Sequence, residues 1–394
     1  MTIHEATDLY WDPFDAALNE RPYELFRRLR DEAPLYYNEK HDFYVLSRAD
    51  DVERAFADHK RLINGRSDVI EFIKAGIEFP PGMFIFEDPP RHTKHRGVLS
   101  RVFTPRRMAA IEPQVREYAG RTLDQYVGSG GFDFVKEYAE IVSSRSIGLV
   151  LGIPEADQLT VREHTDGRQG EGYRVAKREA FEGGFYAEYI QWREDNPSDD
   201  LMTDMLNVEF EDEEGVTRKL TREEILTQVN LLSGAGNDTT AKLIGWTGSL
   251  LAEHPDQRRE IAEDRSLIPQ TIEEVLRYES PGMQNARWVV EDVEFSGGTI
   301  PAESAVVTIM ASGNHDERRF PDPERFDIHR KPIGILSFSF GAHFCIGAAM
   351  ARLQGRVALD EMLDRFPEWS VDEAGAKMQV TSTTRGWGNL PITI

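Results

Sequence analysis

The sequence predicts a mainly α fold with a small β portion, an α+β protein built around one very long helix. Three observations carry this expectation. Apolar residues recur at helical spacing through the first half of the chain, strand-like runs are confined to short stretches, and one helix-like pattern extends from Thr221 to His254 and Pro255.

In chain order, Pro22 to Arg30 has amphipathic helical spacing, and Leu35 to Tyr37 with Phe43 to Leu46 flank a turn at Asn38 to Asp42 as a hairpin. Ala49 to Ala57 returns to helical spacing. Lys60 to Pro90, with Gly65, Gly76, Gly82 and four prolines, reads as a long loop, and loops of that length in a compact protein are usually functional. Helices are expected over Arg91 to Phe103, Met108 to Val127, Ala139 to Leu151 and Phe181 to Glu194. Strands are expected over Arg287 to Val293 and Ala305 to Met310, with turns at Gly297-Gly298 and Pro301.

Forty-six basic against 69 acidic residues give a net charge of −23, which disfavours nucleic acid and anionic membranes as partners. No segment reaches the roughly 18 apolar residues of a membrane span, and Met1 to Glu20 is acidic without an apolar run, so a cytoplasmic location is expected. A single cysteine, Cys345, excludes an intrachain disulfide and fits a reducing compartment. With no low-complexity linker or repeat, residues 1–394 are expected to form one domain.

Thr221 and Glu224 form a capping-box signature, and the helix that follows would run roughly 30 residues, about 50 Å. Its middle, Ser233 to Thr240, is poor helix sequence: each interior glycine costs about 1 kcal/mol relative to alanine, and Asp and Thr compete for backbone hydrogen bonds. A flat ligand against the helix would call for small residues at Ala235 and Gly236, and a hydroxyl at Thr239 beside the Asp238 carboxylate can pass protons to a bound oxygen species. A kink or close helix packing would explain the same residues. Glu274 and Arg277, three apart on one helical face, can pair, and Arg325 is expected to complete a buried Glu–Arg–Arg network.

Cys345 lies in Phe338-Ser-Phe-Gly341-Ala-His343-Phe-Cys345-Ile-Gly347. A lone cysteine is most often a small buried hydrophobe. A thiolate that ligates iron needs backbone N–H groups aimed at the sulfur and glycines where a side chain would block a cofactor, and Gly341 and Gly347 bracket this one.

Four segments, Asp88 to Arg96, Ala235 to Thr240, Glu274 to Arg277 and the cysteine loop, occur in the order found in the cytochrome P450 family, and the chain resembles its soluble bacterial haem-thiolate monooxygenases over nearly its whole length. The resemblance implies the fold of that family, with the long central helix over haem b, iron protoporphyrin IX. It makes the Cys345 thiolate the axial metal ligand, with Phe338, Gly341 and Gly347 shaping the loop. It places His92, Arg96, Arg287 and His343 on the haem propionates, as two partly dry carboxylates require. Ala235 and Gly236 would face the haem, with Asp238 and Thr239 as the distal proton pair. A thiolate ligand favours O–O cleavage. The implied reaction inserts one atom of dioxygen into a C–H bond of a hydrophobic small molecule, such as a terpenoid, steroid, polyketide or fatty acid.

One cysteine cannot hold an iron–sulfur cluster and no GxGxxG follows a strand, so electrons must come from a separate ferredoxin- or flavodoxin-type partner. Its docking face is expected around Arg101, Arg106, Arg107 and Arg352. By resemblance the substrate pocket is lined by Ile85, Phe86, Leu232, Met283, Gln284, Asn285, Thr383 and Thr384. Gln284 and Asn285 either anchor a substrate polar group or satisfy buried backbone. The segment 165–184, expected as a lid, carries many glycines and charges and departs most from the family pattern. Two rival readings are a non-catalytic haem-thiolate sensor, which has no need of Asp238 and Thr239, and a cysteine-nucleophile hydrolase, which leaves the glycine-bracketed loop unexplained.

Overall fold

The computed structural model describes residues 9–159 and 185–394. Helices surround the long helix Arg222–Glu253, whose 32 residues span about 48 Å. The capping box is present: Thr221 accepts from the Glu224 backbone N–H, and the Glu224 carboxylate accepts from that of Thr221. This helix packs most extensively on Glu140–Leu151 and Ala348–Arg365. Among the described residues no helix is long and apolar enough to cross a membrane.

The main sheet has five strands, in the order Leu35–Asn38, Phe43–Leu46, Ser304–Ile309, Gln284–Val289 and Leu62–Ile63. Its first pair is the expected hairpin, with Asn38 opposite Phe43. The expected strand Arg287 to Val293 instead starts at Gln284 and ends at Val289; Val293–Phe295 pairs separately with Gly298–Ile300 across the predicted glycine turn. The helix expected from Met108 begins earlier, at Pro105, where proline needs no N–H partner and Thr104 caps. Phe185–Asp195 answers the expected helix at 181–194, and the expected lid at 165–184 lies outside the described residues.

The expected loop from Lys60 to Pro90 is more ordered than its composition implied. It contains the strand Leu62–Ile63, the helix Ile70–Ala75 and a turn at Phe84–Phe86. Phe79 packs on Phe86 with ring centroids 4.2 Å apart and on Phe72 at 5.6 Å, so an aromatic cluster supplies the core that glycine and proline do not.

This segment is pinned to the start of the long helix. Gly82 adopts φ +89°, and a side chain there would meet the Glu224 backbone at 3.0 and 3.1 Å. His95 sits between two carboxylates, with Nδ1 2.8 Å from Glu87 and Nε2 3.3 Å from Glu224, the latter a close ion contact rather than a directed hydrogen bond. Burial alone would lower this imidazole, but Glu224 and Glu87 outweigh it and raise its pKa to about 9.

On the opposite side, Glu274 and Arg277 are fully buried and joined by two hydrogen bonds of 2.8 Å. The expected third member is corrected: Arg325 points outward, its side chain 72% exposed, and only its carbonyl accepts from Arg277. Arg330 completes the network, with Nε 3.1 Å from Glu274 Oε1 and Nη1 and Nη2 on the carbonyls of Pro321 and Asp322. Five residues of chain carry Arg330 back beneath the helix, whereas the turn at Asp322–Arg325 aims Arg325 at solvent. On the helix Ile268–Tyr278 that carries the pair, Leu276 O accepts from Ser337 Oγ at 2.6 Å, and nearby Asn314 Oδ1 accepts from Leu336 N at 2.7 Å, fixing the chain just before the cysteine loop.

Two outcomes are expected. His95 binds a proton more tightly folded than unfolded, so its contribution is full below about pH 6.5 and is lost as pH rises through about 9. Urea unfolding should show stability falling over that window by on the order of 2 kcal/mol more than in His95→Gln; equal slopes would remove the charged-histidine account. Arg330→Ala should destabilise the protein by about 3 kcal/mol or more, by leaving a buried carboxylate short of a partner, while Arg325→Ala changes stability by under about 0.5 kcal/mol. Equal losses in the two variants would contradict the assignment.

Candidate active site

The cysteine loop is shaped by two left-handed residues, Ser339 at φ +62° and Gly341 at φ +70°. A side chain at Gly341 would come within 2.7 Å of the Phe56 carbonyl, so this glycine lets the loop lie on the helix Ala49–Ala57. Cys345 N–H donates to Phe338 O at 2.8 Å, closing the loop, and the buried Phe338 ring lies beneath the Arg352 guanidinium at 4.6 Å. At Gly347 a side chain would meet only the sulfur of Cys345, at 3.9 Å, and would otherwise project into open space.

Cys345 is exposed, yet burial pushes its thiol pKa up, against the N–H groups of Gly347 and Ala348 and the cations Arg96 and Arg352 that pull it down. A surface that water can touch and that protein surrounds is the wall of an internal space. Ala235 is likewise exposed, on a helix whose second half is almost wholly buried. The two N–H groups at the start of Ala348–Arg365 form the donor set that a thiolate requires.

Near the sulfur lies a cluster of His and Arg side chains poor in hydrogen-bond partners. His92 is 2% exposed, its ring lies 4.1 Å from that of His343 at a tilt of 37°, and it has no hydrogen-bond partner on either ring nitrogen; His343 Nε2 has none either. Arg96 donates to the Phe344 carbonyl, and Arg287, 3% exposed, makes one hydrogen bond, to the carbonyl of Ala286. Burial, then the charges of His92, Arg287 and Arg96, lowers His343 to about 2; burial, then Arg96, lowers His92 to about 4. Burial also brings Arg287 down to about 10, although Asp68 and Asp88 oppose it. Imidazole nitrogens without partners, beside the guanidiniums of Arg96 and Arg287, fit a group carrying two carboxylates, and an accessible thiol fits its metal. The chain therefore has the donor set for haem.

On the long helix, Thr239 Oγ1 donates to Ala235 O at 2.8 Å, and Asp238 is ion-paired with Lys242. The helix-weakening stretch is supported from behind: Ser143 Oγ donates to Asn237 O at 2.7 Å and to Gly236 O at 3.1 Å, and Ser144 Oγ to Asn237 Oδ1 at 2.8 Å. Gly236 requires a correction. A Cβ there would meet Ile147 at 3.2 Å, so its missing side chain serves helix packing rather than a flat ligand, and Ala235 is the open position. Neither serine was anticipated, since serines within a helix carry no spacing signal.

The expected pocket residues fall in two groups. Ile85 is half-buried and Phe86 buried in the aromatic cluster, and Leu232 is buried on the long helix. Met283 N donates to Thr383 O at 2.8 Å, Gln284 Nε2 donates to Ser382 O, Gly282 bridges Thr384, and Asn285 Nδ2 donates to Asp68 at 2.8 Å. Both amide nitrogens are thus engaged by the protein, while Gln284 Oε1 is buried without a partner. Of the expected docking arginines, Arg101 and Arg106 are exposed; Arg107 pairs with Asp204 at 3.0 Å and Arg352 with Glu273 at 2.5 Å, which narrows the basic face.

Comparison with known proteins agrees with this geometry. A family profile described as Cytochrome P450 matches residues 171–391. The vitamin D(3) 25-hydroxylase of Pseudonocardia autotrophica is 34% identical over 391 residues, 97% of this chain and 96% of that protein. Cytochrome P450 CYP109Q5 from Chondromyces apiculatus superposes with a TM-score of 0.86 at 33% identity, covering 97% of each chain. CYP109E1 from Bacillus megaterium, solved with testosterone, gives 0.83 at 28% identity over 95% of this chain and 99% of that one. This chain belongs to the cytochrome P450 family, has its fold, and is a monooxygenase of the oxidoreductase class.

Proposed function

We propose that residues 1–394 work as one haem-thiolate monooxygenase unit that oxygenates a C–H bond of a hydrophobic small molecule, with electrons from a separate ferredoxin- or flavodoxin-type protein in the cytoplasm. The observation that carries this is the juxtaposition of an accessible but deeply placed sulfur, faced by two backbone N–H groups, with a cluster of His and Arg groups short of hydrogen-bond partners.

Cys345 would ligate the iron of haem b, and His92, Arg96, Arg287 and His343 would hold its propionates. The haem, when bound, supplies dioxygen activation, with the thiolate favouring O–O cleavage. The chain's own residues do the rest. Thr239 Oγ1, already held by the Ala235 carbonyl, keeps a hydroxyl at a fixed place on the open side of the helix, and Asp238 next to it supplies a carboxylate through which protons pass. The aromatic cluster of Phe72, Phe79 and Phe86 offers apolar surface and excludes water. A relative named for vitamin D(3) and structures solved with testosterone or erythromycin B support a hydrophobic small-molecule substrate. Arg101 and Arg106 are the part of the basic face free to meet an acidic redox partner.

Reconstituted protein should give a ferrous carbonyl complex with the strongly red-shifted band of thiolate ligation, and Cys345→Ser should lose it; an unshifted band in the parent would overturn the ligand assignment. Turnover with a ferredoxin system distinguishes enzyme from sensor. Thr239→Ala should keep the haem and divert most reducing equivalents to peroxide, with product yield falling roughly tenfold or more. Unchanged coupling in that variant would place the proton route elsewhere.

A further inference from the structure

We infer that Lys242 is a positioning residue for the proton relay, locking the Asp238 carboxylate onto the hairpin Lys377–Val380 and Arg385–Asn389. This rests on the reading of Asp238 and Thr239 given above.

A lysine in the middle of a packed helix is unusual, and Lys242 is 2% exposed. An ammonium leaves water at a large cost unless a counter-charge and hydrogen bonds replace the solvent. Asp238, one helical turn earlier, is that counter-charge, and Gln379 Oε1 on the hairpin lies 3.4 Å from Nζ. The aliphatic stem occupies a slot opened by a glycine: a Cβ at Gly386 would come within 2.5 Å of Lys242 Cγ and 2.8 Å of its Cβ. The hairpin is therefore shaped to accept this lysine.

The pair is asymmetric. The lysine side chain is 3% exposed and the aspartate side chain 22%, so the ammonium is the anchored end and the carboxylate the accessible one. Asp238 and Thr239 are turned to different partners, the carboxylate to Lys242 and the hydroxyl to Ala235 O. The hairpin that holds Lys242 also reaches the expected pocket wall, because Thr383 O at its tip accepts from Met283 N. One strand pair thus carries both the lysine slot and a pocket edge. Lys242 acts through Asp238 by fixing where its carboxylate sits, and touches no reacting atom.

The test is a double-mutant cycle with Asp238→Asn and Lys242→Met, read twice. In urea unfolding of the haem-free chain, each single change should lower the folding equilibrium constant about tenfold or more, and the double variant should recover to within about threefold of the parent. Additive losses would mean the two side chains are not coupled. In the haem-loaded enzyme, Lys242→Met should leave haem content unchanged, raise the fraction of reducing equivalents lost as peroxide at least threefold, and alter the solvent isotope effect on turnover. Lys242→Arg, which keeps a cation, should restore at least half of the coupling. In an Asp238→Asn background, Lys242→Met should add nothing. Normal coupling in Lys242→Met, or an undiminished effect of that change without Asp238, overturns the assignment. Normal coupling in Asp238→Asn alone overturns the relay reading on which it rests, whereas an uncoupled Asp238→Asn beside a normal Lys242→Met overturns only the role of the lysine.

Discussion

A carboxylate with no water around it must be answered by fixed donors, and Glu274 is answered by the guanidinium of Arg277, the guanidinium of Arg330 and the N–H of Asp327. Meeting that demand draws the chain from Asn314 to Arg330 around one helix. Arg277 takes the carbonyls of Asn314 and Pro323, and Arg330 those of Pro321 and Asp322. With that segment fixed, Asn314 and the end of the same helix set Leu336 and Ser337, and the cysteine loop begins at the next residue, Phe338. The position of the sulfur is thus inherited from an ion pair, since a buried pair tolerates little movement before it loses more than it gains.

The His and Arg cluster beside the sulfur follows a complementary logic. There the chain buries His92, His343 and Arg287 with few counter-charges, Asp68 and Asp88 acting on Arg287, and burial above all lowers the proton affinity of the three. A fold built only for its own stability would pair these groups. Imidazole nitrogens left without partners in a half-dry site cost free energy that a hydrogen-bonding anionic ligand would recover on binding, so such a ligand would add to the stability of the molecule.

Much of this was readable from residue order, and the exceptions share a cause. Cys345, Gly341, the capping box at Thr221 and the pairing of Glu274 with Arg277 all announce themselves through local spacing, which governs turns and helix faces directly. Arg330 and Arg325 differ only in which way an irregular coil turns, and nothing periodic encodes that. Gly236 has two explanations of equal local merit, a neighbouring helix or a flat ligand, and only Ile147, far away in sequence, decides between them. The short strands Gly131–Asp133 and Pro391–Thr393 are three residues each and join distant parts of the chain, so no alternation could reveal them. The order within Lys60 to Pro90 came from phenylalanines that meet only after the backbone has turned.

The bond from the Thr239 hydroxyl to the Ala235 carbonyl commits the single hydrogen that this side chain possesses. A hydroxyl has one hydrogen and two lone pairs, so what Thr239 still presents to the space beside it is electron density. While that bond lasts, the residue welcomes whatever arrives carrying its own hydrogen and is indifferent to a bare acceptor. Selectivity for a protonated visitor over an unprotonated one is therefore written into a single turn of helix, before any metal enters.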